Sequence, residues 1–166
     1  MRSVIHPSTR WIHVRQPLEL KTDTSFYELT CLPCHHSYVV ASSVLAVRLR
    51  INELAFGYAK YQSAWPEQSP LAISRLTNLL SEYGIKLRLP AYDITSKVEA
   101  DDLLREFGLT SASLEQKCLQ QVRNVTLSED ALIQQVGLWE RAIRESVSKL
   151  DEIEIQVIHD TTVEQV

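Results

Sequence analysis

Downstream of residue 37 the apolar positions recur at three- and four-residue steps, a period that predicts helices rather than strands. From Tyr38 to Gln62, Val39, Val40, Val44, Leu45, Val47, Leu49, Ile51, Leu54, Ala55, Phe56, Tyr58 and Ala59 cover nearly every face, as in a central core helix. Ser69-Pro70 supplies an N-cap and a first-turn proline for a helix carrying Ile73, Leu76, Leu80 and Tyr83, with Gly84 as its stop. Ile85–Leu89 alternates like a short strand and ends at Pro90. Ser96-Lys-Val-Glu99 has the form of a capping box and opens a helix with Val98, Leu103, Leu104 and Phe107, closed by Gly108. Ser113-Leu-Glu-Gln116 is a second box, before Leu114, Cys118, Leu119 and Val122.

The most regular pattern comes last. Ser128-Glu-Asp130 places two acids in a first turn, where the helix dipole favours them. Leu132, Val136, Trp139, Ile143, Ser146, Leu150, Ile153 and Val157 then step 4-3-4-3-4-3-4, a heptad seam with one polar break. Glu140 with Arg144, and Glu145 with Lys149, put acid before base at four-residue spacing on the outer face. Such a seam wants a partner helix, which is another helix of this chain, a second copy or another protein. The end also alternates, as Ile153-Glu-Ile-Gln-Val157. The longer period is followed, which extends the helix to 158.

The N-terminal 36 residues differ. Pro7, Pro17 and Pro33 punctuate them, and Trp11–Arg15 and Phe26–Thr30 are rich in aromatic and β-branched residues, which predicts short strands. The expected fold is therefore mainly α. It is a bundle of about five helices with a short extended or weakly β N-terminal segment (1–36), a helical domain (37–158) ending in a long heptad-like helix, and a flexible tail (159–166).

Composition adds constraints. The 166 residues suit one domain and, at 45% hydrophobic and 23% charged, can bury a core without disulfides or metals. Net charge is −4, made of +4 over residues 1–90 (10 Lys/Arg against 6 Asp/Glu) and −8 over 91–166 (7 against 15). Halves of opposite sign attract within one fold. Three cysteines do not make a disulfide framework, and no leader pattern or 20-residue apolar span is visible. An intracellular, cytoplasmic protein without membrane attachment is expected.

Cys31-Leu-Pro-Cys34 followed by His35 and His36 is the one cluster of reactive side chains. Two thiolates make half of a zinc shell, and a histidine such as His35 or His36 would have to complete it, so zinc is the alternative to no cofactor. Cys-x2-Cys-His also matches the covalent haem motif, but Met1 is the only methionine available as a second axial ligand. Phe26–Cys34 resembles the active-site segment of thioredoxin- and DsbA-like proteins, in which a strand runs into Cys-x-x-Cys at a helix start. That resemblance implies Cys31 as nucleophile, Cys34 as resolving thiol and Pro90 as the proline facing the motif. The two small cysteines near a helix start are equally read as packing residues.

Leu103–Leu114 resembles the helix-turn-helix of DNA-binding regulators, with glycine at the turn. By position the resemblance implies that Ser111, Ser113, Gln116 and Lys117 face the groove. Glu115 and the −8 half oppose phosphate binding. Neither a glycine-rich phosphate loop nor Gly-x-Ser-x-Gly occurs. The sequence thus predicts a non-enzymatic adaptor or assembly subunit, acting by protein contact or self-association of the 128–158 helix through Leu132, Val136, Trp139, Ile143, Leu150 and Ile153. The alternatives are a helix-turn-helix nucleic-acid binder (98–123), and a thiol–disulfide oxidoreductase or zinc knuckle at Cys31/Cys34.

Overall fold

The structure is a computed structural model that describes residues 8–15, 30–109, 125–149, 151 and 154–162, with the backbone alone for 8–15 and 154–162. It is mainly helical. The order is β1 (Ser8–Arg15), α1 (Leu32–Leu49), β2 (Glu53–Ala55), α2 (Pro70–Glu82), β3 (Lys86–Arg88), α3 (Lys97–Glu106), α4 (Glu129–Val147) and β4 (Glu154–Thr162). Two single 3-10 turns, Lys60–Gln62 and Pro66–Gln68, precede α2.

Helix α1 begins at Leu32, inside the segment expected to be irregular, with Pro33 in its first turn, where a missing N–H costs nothing. Thr30 Oγ1 accepts the Leu32 amide at 3.3 Å. Its buried residues Leu32, His36, Val39, Val40, Ser43 and Val44 form one stripe, not the all-round face expected for 38–62. The helix stops at Leu49 because Arg50 turns left-handed (φ 55°, ψ 39°) and Ile51 N–H reaches back to the Ala46 carbonyl at 2.8 Å. The same five-residue return closes α2, from Ile85 N–H to Leu80 (3.0 Å) with Gly84 at φ 70°. It also closes α3, from Leu109 N–H to Leu104 (2.9 Å) with Gly108 at φ 69°.

The helix starts follow the predicted chemistry. Ser69 Oγ accepts from Ala72 N (3.2 Å), Ser96 Oγ from Glu99 N (3.2 Å) and Ser128 Oγ from Ala131 N (3.4 Å). The box at α3 closes one residue early, with Glu99 Oε2 accepting from Thr95 N at 2.8 Å.

β2 and β3 pair in parallel with Glu53, Leu54 and Ala55 opposite Lys86, Leu87 and Arg88, so α2 is the crossover of a small β-α-β unit. The strand expected at 85–89 is β3. Helix α4 packs on both α1 and α2. The core lies between them, built from Leu32, Val39, Val40, Val44, Leu76, Leu79, Leu80, Ile85, Val136, Trp139, Ile143 and Val147. Helix α3 buries no residue and adds none to this core.

The C-terminal region departs from the heptad expectation. α4 ends at Val147, and residues 154–162 form β4, antiparallel to β1 from Arg15 opposite Glu154 to Ser8 opposite Thr162. A shift between Trp11 (opposite His159) and Ile12 (opposite Val157) leaves Ile158 as a bulge. The short period in Ile155-Gln-Val157 prevails over the seam there, since β-branched residues suit a pleated ribbon. Residues 159–162, expected as tail, belong to this strand. Among the described residues no helix is long and apolar enough to cross a membrane. The helix expected after Ser113 lies outside the described residues.

Candidate functional site

The start of α1 fans the cysteine–histidine cluster across different surroundings. Cys31 is the N-cap and is half-buried, and Cys34 sits one turn on, exposed. They are not disulfide-linked. His35 and His36 are neighbours in sequence, about 100° apart on the helix, and they face different partners.

His35 enters a polar island with two tyrosines from α1 and the loop after β2. Tyr58 Oη lies 3.1 Å from His35 Nδ1, Tyr38 Oη lies 3.0 Å from Tyr58 Oη, and Tyr38 Oη also contacts His35 Nδ1. Each hydroxyl has one proton. Tyr38 spends its proton on Tyr58, and His35 Nδ1 meets both hydroxyl oxygens. Burial pushes His35 down to about 4, which suits a neutral ring. Burial also raises both tyrosines, with the nearby Glu67 adding to it, and Phe56 meets Tyr38 edge-on at 5.4 Å. Glu67 is itself buried, in the turn before α2, and burial raises its carboxyl against the pull of its own backbone N–H. Next to it, Gln68 Oε1 accepts the Ala59 amide at 3.0 Å.

Every ionisable group of this island is pushed toward its neutral form. A general base works best with a pKa near the working pH. His35, pushed far below neutrality, is a neutral hydrogen-bonding partner of the two hydroxyls. The island therefore ties α1 to the 56–68 loop, as a satisfied buried network does.

His36 faces the other way. Its Nε2 lies 3.1 Å from Ser146 Oγ on α4, and burial lowers its pKa against an opposing hydrogen bond to the Ala142 carbonyl. The polar break in the heptad pattern is thus the partner of a buried histidine. The pairing of the two could not be read from a sequence separation of 110 residues.

A comparison with family models, curated proteins and solved structures returned no match. The chemistry rests on these residues alone. Among the described residues no group of three or more His, Cys, Asp or Glu is placed to hold a metal ion. Of the two cysteines in the resemblance to disulfide oxidoreductases, Cys34 is exposed and Cys31 is half-buried.

The seam residues have a clear destination. Val136, Trp139 and Ile143 are completely buried against α1 and α2, and Leu132 packs at the core margin. Their partner helices are those of the same chain. Leu150 and Ile153 lie outside the described residues, as do Ser111, Ser113, Gln116 and Lys117 of the helix-turn-helix expectation. The apolar surface left open is elsewhere. On α3, Leu103, Leu104 and Phe107 share a face by their three- and four-residue spacing, and Phe107 is 78% exposed, with Leu109 exposed just past the stop. The capping box and spacing of this helix were legible in sequence. The exposure of its apolar side chains was not.

Proposed function

We propose that the chain is a non-enzymatic assembly subunit that works by protein contact, and that the contact is made by α3. The observation that carries this reading is the exposed face of Leu103, Leu104, Phe107 and Leu109 on a helix with no buried residue. Contiguous exposed apolar surface of this kind is what interfaces use. The α4 helix was the sequence-based choice, but its anchors Trp139 and Ile143 are occupied inside the core. Burial pushes His35 on α1 and Glu67 before α2 toward their neutral forms, which favours contact over catalysis.

The test is association of the purified chain with itself or with a partner rebuilt from purified components, compared with a Leu104→Glu/Phe107→Glu variant. The expected result is association by the wild type and its loss in the variant, with the same helical circular dichroism. Association unaffected by the variant, or no association of any kind, overturns the reading.

A second reading is favoured by one observation. Cys31 and Cys34 share the first turn of α1, a turn without acidic side chains at a helix end that attracts anions. Thiol–disulfide exchange there would show as reduction of a model disulfide, lost in both Cys31→Ser and Cys34→Ser. Unchanged reduction by either variant removes it.

A further inference from the structure

A second exposed apolar stretch, of opposite charge, lies where α1 stops. The α1 stop exposes Val47, Leu49 and Ile51 together, with Leu49 48% exposed. Arg50 stands among them, and Lys86 is brought alongside by the hydrogen bond from Lys86 N–H to the Asn52 carbonyl (2.8 Å). Both cations are exposed, and the stretch 47–52 contains no acidic residue. Glu53, the nearest acid in sequence, stands opposite Lys86 in the β2–β3 register and its carboxylate pairs with Arg88 at 3.9 Å.

The α3 face is the complement. Its apolar stripe is flanked at 100° per residue by Asp101 beside Leu104 and Glu106 beside Leu103. The other charged groups of the helix are partly spent, with Asp102 paired to Arg105 at 2.8 Å and Glu99 capping Thr95. The four acids and two bases of α3 leave it at net −2, opposite in sign to the exposed Arg50 and Lys86.

The backbone at Arg50 adds an independent mark. It holds a left-handed conformation at a helix stop where the other two stops of this kind use glycine. That conformation costs an L-residue on the order of 1 kcal/mol, and such strain persists where a side chain is needed. An exposed arginine that neighbours two exposed aliphatic residues in sequence is suited to an acidic, apolar helix face.

We infer that the α3 face of one copy docks on the Val47–Ile51 shoulder of a second copy, head to tail. This rests on the reading of α3 as the contact helix and names its occupant. The contact is heterologous, since the two surfaces differ, so it propagates into rings or chains unless one surface is blocked. Phe107 and Leu109 bury against Leu49 and Ile51, and Asp101 and Glu106 meet Arg50 and Lys86.

The experiment is light scattering on the full chain over a concentration series, with Leu49→Asp and Phe107→Asp variants. Both positions are exposed, so the core is spared. The wild type is expected to grow beyond a dimer with concentration, less so at high salt. Each variant alone is expected to be a monomer, and an equimolar mixture of the two to form a dimer and stop there, because each retains the surface the other has lost. If either variant fails to fold, the charge pair Arg50→Asp and Asp101→Lys replaces it, with the same expectation of monomers, and restored association on mixing. A wild type that stays monomeric, or two monomeric variants that remain monomers when mixed, overturns the inference. A monomeric wild type whose rebuilt complex with another protein still depends on Phe107 sinks the second copy alone and leaves the contact role of α3 standing.

Discussion

His36 on α1 and Ser146 on α4 meet at 3.1 Å, and the contact fixes a tautomer. The Ser146 hydroxyl gives its one proton to the Ala142 carbonyl at 2.9 Å. It can therefore only accept from His36, which carries its proton on Nε2. Its neighbour His35 is buried with different partners, Tyr38 and Tyr58.

Their burial dictates how stability responds to acid. His35 falls from 6.5 unfolded to about 4 folded, and His36 is lowered as well. Below pH ~6.5 the unfolded chain takes up protons that the folded chain refuses, so stability is full above that pH and declines as pH falls toward 4. His35 alone contributes on the order of 3 kcal/mol to this decline, from its shift at about 1.4 kcal/mol per unit. The raised Glu67 has the opposite sign: its contribution is present below ~4.5 and is lost as pH rises. Urea denaturation from pH 7 to 4.5 should show falling stability, a shallower fall in His35→Gln and a steeper one in Glu67→Gln.

Ile143→Glu should abolish the fold itself. Its side chain is fully buried between helices, and an unpaired carboxylate there has no compensating partner. Ile143→Ala should remain folded but lose about 2–5 kcal/mol, the usual range for a buried large-to-small change. Thermal melts followed by circular dichroism separate the two.

Arg50→Gly should stabilise the monomer by about 1 kcal/mol, because glycine adopts φ 55° without a Cβ conflict. Gly84→Ala, at φ 70°, should destabilise by a similar amount although nothing lies within 4 Å of its added methyl. Denaturant midpoints with unchanged slopes would verify both.

Cys34 should react with a thiol reagent well before Cys31. One is exposed in the first turn and the other is half-buried at the cap. Labelling followed by peptide mass mapping reads the order, and faster reaction at Cys31 contradicts the placement.

What the sequence conveyed depended on whether the signal was local. Ser69, Ser96 and Ser128 cap through their own third neighbours, so their helices were legible. So were the ion pairs of Arg144 with Glu140 (3.2 Å) and of Lys149 with Glu145 (3.9 Å). The stop at Arg50 was invisible because arginine carries no left-handed preference, and α1 was read thirteen residues too long, to Gln62 instead of Leu49. The seam was correctly periodic over Leu132–Ile143, but periodicity does not say whose helix fills it. The polar island was missed entirely, since Tyr38 and Tyr58 lie 20 residues apart and meet through a turn built around buried Glu67 and Gln68.

The β1–β4 ribbon joins the earliest and latest described stretches of the chain, Ser8 facing Thr162. During synthesis β1 leaves the ribosome long before its partner exists, and it must wait unpaired while α1, α2 and α3 emerge. α4 too is made late, yet it carries Trp139 and Ile143 into the α1–α2 core. Neither the core nor the ribbon can close until α4 and β4 have been made, so the fold waits on the last of its described elements.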